Sequence, residues 1–126
     1  MRAYKFLRPD HRSANGNEPA WGIGVTRRIE GKLVMCHRGY HSSPSWLDAL
    51  GYARQPVAAL VEVSEPERPD LHDSDKDASR EMTIVAARDV SRELRLFAAD
   101  CAERALLRER ERGREPDARS WTAVEA

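Results

Sequence analysis

Hydrophobic and polar positions alternate from Trp21 to Arg27, where Trp21, Ile23 and Val25 oppose Gly22, Gly24 and Thr26. A period of two predicts a half-buried strand. Glu30-Gly31 separates this run from Lys32 to Cys36, so the two segments are expected to form a β-hairpin. Ala3 to Leu7 reads as an earlier short strand, ended by Arg8-Pro9-Asp10. His11 to Ala20, rich in Ser, Asn, Gly and Pro with almost nothing apolar, reads as a loop. Gly39 interrupts the pattern, and Tyr40 to Ser42 is expected to continue as a strand after a bulge or tight turn. Val57 to Val63 is nearly continuous in apolar residues, which predicts a central strand. Met82 to Val90 is expected to be the last strand.

Two stretches change to helical spacing. Ser43-Pro44 offers a cap and a first-turn proline, and Trp46, Ala49, Leu50 and Ala53 then share one face of a short helix ending before Pro56. Ser91 is expected to cap a long helix whose Leu94, Phe97, Ala98, Cys101, Ala102, Ala105 and Leu106 follow the i, i+3, i+4, i+7 pattern. Its last turns, Arg108 to Arg112, alternate Arg and Glu and should be solvated, and Gly113 is placed to end it. Pro116 to Val124 reads as the first turns of another helix, with Trp121 and Val124 on one side. Either that tail packs through Trp121, or the chain is a truncated relative of something longer.

Together these elements predict an α+β fold: a mostly antiparallel sheet of about five short strands, one short helix, and one long helix packed on the sheet. Residues 1–113 are expected to form a single domain and residues 114–126 a tail. Between Ser64 and Arg80 the composition turns acidic, with two further prolines and one large aliphatic residue. That segment is expected to be a mobile loop.

Composition bounds the function classes. The 126 residues suffice for one domain with a real core. Acids and bases balance at 21 each, which removes the electrostatic argument for nucleic acid or an anionic membrane as partner. Zero net charge mildly favours self-association, hence an expected homodimer. Cys36 and Cys101 lie 65 residues apart with no CxxC, and the N-terminal segment lacks a signal-peptide run. A reduced, cytoplasmic protein is expected.

The segment Cys36-His37-Arg38-Gly39-Tyr40-His41-Ser42-Ser43 concentrates the candidate chemistry. Cys36 and His41 are the candidate metal ligands, with His37 beside them. Adjacent strand residues point to opposite faces, so Cys36 and His37 do not readily share an ion, and no second motif completes a site. A buried Cys and a hydrogen-bonded His closing the hairpin is therefore the expectation, with no metal and no cofactor. For catalysis the candidates are His41, Ser42 and Tyr52 with Glu62 or Glu65, and a Cys36–His41 pair would meet a thiolate's need for a base. The acids from Asp70 to Asp77 lack the turn Gly and terminal Glu of a calcium loop and read as solvated. The Arg-Glu run from Arg108 to Glu115 cancels its own field.

Several of these segments resemble a family of uncharacterised bacterial and phage proteins, common in high-GC actinobacteria and catalogued as a domain of unknown function. Tyr4-Lys5-Phe6-Leu7 matches its opening strand, Trp21 to Cys36 its Gly- and Trp-containing hairpin, and Cys36, Gly39 and His41 its Cys-x-x-Gly-x-His signature. Asp48 to Ala53, Val61-Glu62-Val63 and Asp75-Lys76 match its helix, strand and Asp-Lys segment. The resemblance covers about residues 3 to 90, and the long acidic stretch before Met82 departs from it. The Phe97 to Arg104 segment is similar to a helix at the start of some bacterial immunity proteins. These resemblances imply a fold and no activity. The function expected is protein interaction or regulatory binding, as an inhibitor or immunity factor of phage or mobile-element type, with another protein as partner. The enzymatic alternative is a transferase-like site around His41, Ser42 and Tyr52, in an outline similar to ADP-ribosyltransferase-like folds.

Overall fold

The computed structural model describes residues 1–14 and 16–125. Asn15, inside the expected first loop, and Ala126, at the end of the expected tail, lie outside the described residues. The chain divides into two compact units, residues 1–89 and 90–126.

In the first unit, β1 (Arg2–Leu7), β4 (Val57–Val63), β6 (Glu81–Asp89) and β2 (Thr26–Arg28) form an antiparallel sheet in the order β1-β4-β6-β2. The register sets Tyr4 opposite Leu60 and Val61 opposite Ile84, with a bulge between Leu60 and Val61. β4 alternates strictly: Val57, Ala59, Val61 and Val63 are buried, and the side chains between them are less so. Burying each of those valines contributes about 1.5–3 kcal/mol. With Ala3, Leu7, Trp21, Met82 and Ile84 they make the main core. The expected central strand is thus central, flanked by β1 and β6.

A second, two-stranded sheet pairs β3 (Tyr40–Ser42) with β5 (Asp77–Ser79). Ser43 joins it to the first sheet by exchanging backbone hydrogen bonds with Tyr4, 2.8 and 2.9 Å. That role displaces the expected cap. Ser45, not Ser43, caps α1 (Trp46–Leu50), its Oγ accepting from the Asp48 amide at 3.1 Å. Trp46 lies on the Tyr4 and Phe6 rings, with centroids 4.6 and 6.0 Å apart, which seats α1 over β1.

The expected hairpin from Trp21 to Cys36 does not form. Gly24 takes a left-handed φ of 80°, so the backbone leaves the extended region inside the first expected strand, before the intended Glu30-Gly31 turn. Only Thr26–Arg28 is a strand, and it pairs with β6. Lys32 to Arg38 makes a tight turn instead, closed by paired bonds between Val34 and Arg38.

The segment 64–80, expected to be a shapeless loop, carries a 3-10 turn at Pro69–Leu71 and then β5. Its one large aliphatic residue, Leu71, is fully buried with Leu33 and Ala78 in a second small core. Arg80 fastens the segment further. Its guanidinium donates to Glu67 at 2.8 Å and to the Ile29 and Gly31 carbonyls at 2.8 and 2.9 Å.

The second unit contains α2 (Ser91–Glu111) and α3 (Ala118–Glu125). Val90 rather than Ser91 takes the cap position of α2, and Gly113 follows its end with φ +80°. Arg110 lies 4.3 Å over the Trp121 ring and pairs with Glu115 at 2.8 Å. Neither helix has a buried residue. Phe97 is 52% exposed, and much of the long helix's apolar stripe is Ala and Cys, which offer little surface to bury. Among the described residues no helix is long and apolar enough to cross a membrane.

Candidate functional site

A cavity of about 510 Å³ opens beside β1 and β3. It is lined by Cys36, His41, Ser42 and Tyr52, four of the residues singled out from the sequence, together with Lys5, Glu18 and Lys76. Glu62 is elsewhere. It is exposed on β4, where its carboxylate pairs with the Met1 ammonium. Glu65 lines a separate groove with Met1, Arg2, Pro44, His72 and Asp77.

The turn before β3 is built around His41. Cys36, at φ +65°, directs its backbone N–H at His41 Nε2, 2.8 Å away. Nε2 accepts this bond with its lone pair, so the neutral ring carries its proton on Nδ1. Burial is the main cause holding His41 below its ordinary value of 6.5, and the positive charges of Lys5 and Lys76 act in the same direction. No cluster of three His, Cys, Asp or Glu placed to hold an ion occurs among the described residues. Both cysteines are free and exposed, so the expected burial of Cys36 is corrected. A left-handed tight turn carries its side chain outward.

A histidine whose folded pKa is depressed binds fewer protons folded than unfolded. Its contribution to stability is present above 6.5 and is lost as pH falls through the folded value. Urea denaturation is expected to show stability declining between about pH 7 and about pH 5, and His41→Gln to flatten that decline. Equal slopes for the two proteins would show that His41 carries none of it.

The remaining polar groups are also held. Glu18 Oε1 accepts from the Ser13 amide at 2.9 Å, the Ser13 hydroxyl at 2.5 Å and Trp21 Nε1 at 2.8 Å. Burial pushes this carboxyl up, but those bonds and the Lys5 charge outweigh it and bring it below its ordinary value. Tyr52 donates to Asp75 Oδ2 at 2.7 Å, which raises its phenol. Lys76 Nζ lies 3.0 Å from Cys36 Sγ and 5.3 Å from the Tyr52 ring centroid. Lys5 Nζ donates to the His41 carbonyl at 2.8 Å, and burial lowers its pKa against the opposing pull of Glu18. Ser42 Oγ is buried with no partner among the described residues.

Sequence reasoning missed Lys5, Glu18 and Lys76. The one available signal was Lys5, which shares a strand face with Ala3 and Leu7, both fully buried. It also missed the pairing of His72 Nδ1 with the buried Asp77 carboxylate, because both fell in a segment read as solvated. Arg80 and Ser64 hold the far end of that segment, the Ser64 hydroxyl accepting from the Arg80 and Glu81 amides at 3.2 and 3.0 Å.

No curated protein and no solved structure matches the chain. A family model does match, over residues 1–95, which spans all six strands and the whole cavity lining. On that match the chain belongs to the family described as Domain of unknown function (DUF7666).

Proposed function

We propose that this chain is a regulatory binding protein of the bacterial or phage cytoplasm that receives a segment of a partner protein in the cavity beside β1 and β3. The observation that carries the reading is the state of the polar groups there. General acid–base or nucleophilic catalysis needs a side chain with a free lone pair or a movable proton aimed at the substrate. His41 Nε2 is committed to the Cys36 amide, Glu18 Oε1 to three donors and the Tyr52 hydroxyl to Asp75, so among the described residues the nucleophile candidates Ser42 Oγ and the Cys36 thiol have no free imidazole or carboxylate oxygen aimed at them as a base. Of the acids envisaged for a transferase, Glu62 lies outside the cavity and Glu65 lines a separate groove. Such a lattice of mutual hydrogen bonds suits a preformed receptor, whose shape must exist before the partner arrives. At about 510 Å³ the cavity is within the size range of ligand clefts and takes a few side chains of a docking segment.

Site-specific photocrosslinking in the native host tests this. A benzophenone side chain at Tyr52, on the cavity lining, should yield a discrete protein adduct. The same group at Val85, exposed on β6 and outside the lining, should not. Adducts at both positions or at neither would reject the cavity as the docking site.

A further inference from the structure

The cavity's cations are less well satisfied than its anions. An ammonium carries three N–H donors. Lys5 Nζ uses one, on the His41 carbonyl, and the carboxylate acting on it is Glu18. Lys76 Nζ uses one on the Cys36 sulfur, a poor acceptor. Glu18 Oε1, by contrast, already takes three donors. Both lysines act on His41, so their fields overlap at the middle of the lining. Around them the walls are largely carbon, from Phe6, Tyr40, Ala49 and Tyr52. Lys5, enclosed in such surroundings with unused donors, is costly to hold charged, and an anion placed beside it recovers that cost, while Lys76 at the exposed end adds its charge.

Resting on the binding role above, we propose that the partner's anchor is a carboxylate carried on an apolar or aromatic body: the carboxylate takes the spare N–H donors of Lys5 and Lys76, and the body lies against Tyr40 and Tyr52. Lys5 is the principal determinant, because it is the more enclosed of the two. Lys76, paired through space with Asp75, is the entrance group.

Three probes that share a phenyl group test the charge requirement: N-acetylphenylalanine, its near-isosteric neutral amide, and the cation phenethylamine. Each is titrated into the full chain while the backbone amides of His41, Ser42 and Lys76 are followed by NMR. The acid should shift these amides with an affinity at least about tenfold above the amide, equivalent to about 1.4 kcal/mol. Phenethylamine should not shift them. Lys5→Met, which keeps the chain's length and removes a desolvated charge, should stay folded and lose the acid's binding at least about tenfold. Should Lys5→Met fail to fold, Lys76→Met must still weaken the acid. Equal binding of acid and amide, or preference for the amine, would overturn the carboxylate anchor while leaving the cavity as a docking site. Binding by none of the three would overturn it as well, and the Tyr52 crosslink would then judge the docking role by itself.

Discussion

Shortening Ile84 to alanine should remove about 2–5 kcal/mol from the free energy of unfolding. Ile84 is fully buried on β6 and faces Val61 in the register of the central strand pair. It also bridges to Ile23, and its carbonyl accepts from the Gly24 amide at 2.8 Å. The residue therefore joins the sheet to the segment that crosses its edge. Deleting three carbons there leaves a void lined by β4 and β6, whose hydrogen-bonded backbones relax little. Domains of this size are stable by about 5–15 kcal/mol, so a sizeable unfolded fraction at 37 °C is expected in the weaker half of that range. Urea denaturation measures it as a lower midpoint at unchanged slope. Val85→Ala, at the exposed neighbouring position, should stay within about 0.5 kcal/mol. A loss below about 1 kcal/mol for Ile84→Ala would place the centre of the core elsewhere.

Gly39→Val should be nearly as damaging, and its effect should spread into the cavity. Gly39 has φ +142°, where a side chain is strained at about 1–3 kcal/mol. A Cβ there would stand 3.3 Å from the Ala78 Cβ and 3.8 Å from the Ser79 carbonyl. Both neighbours belong to β5, so the clash falls on the only pairing β3 has within its sheet. Valine adds two methyls to that contact, an overpacking of about 1–3 kcal/mol more. His41 would move with β3 and release the Cys36 amide. Gly24→Ala separates the two effects, since Gly24 has φ +80° but nothing within 4 Å of its added Cβ. It should show strain alone. Hydrogen exchange at the Cys36 amide is the local readout, and unchanged protection in Gly39→Val would refute the account.

These two sites differ in how visible they are from the sequence. β4 was legible to the residue, because seven nearly continuous apolar positions from Val57 to Val63 are too few for a buried helix and suit a central strand, although only its Val57, Ala59, Val61 and Val63 face is buried. Membership of an uncharacterised family was legible too, and the family match spans residues 1–95. The hairpin was not. Alternation at Trp21, Ile23 and Val25 indicates which side chains share a face, but not whether a neighbouring strand exists to receive them. Trp21 is buried, while Ile23 and Val25 are about half exposed. The acidic segment failed for a related reason. Leu71 supplies little apolar area alone, but beside Ala78 it meets Leu33, distant in sequence, and a composition window cannot see that meeting.

The Cys36 to Ser43 segment was found, but its partners were not. Lys5, Glu18 and Lys76 come from three other parts of the chain, and only the folded sheet brings them to one cavity. The strand periodicity did place Lys5 among buried neighbours. A lysine in that setting is the one polar mark that could have pointed to an enclosed site before the structure did.

The Arg80 guanidinium carries a consequence for how this architecture can diversify. One side chain holds the stretch after β2 and the stretch after β4 to the start of β6. Strand register is thereby decoupled from the length of the connections on either side. Residues can be inserted at the exposed Asp73-Ser74 turn, between the buried Leu71 and the buried Asp77, without re-indexing β4 against β6. Variation in loop length across relatives is thus expected to concentrate at that turn. An engineered insertion there should be tolerated wherever position 80 remains arginine.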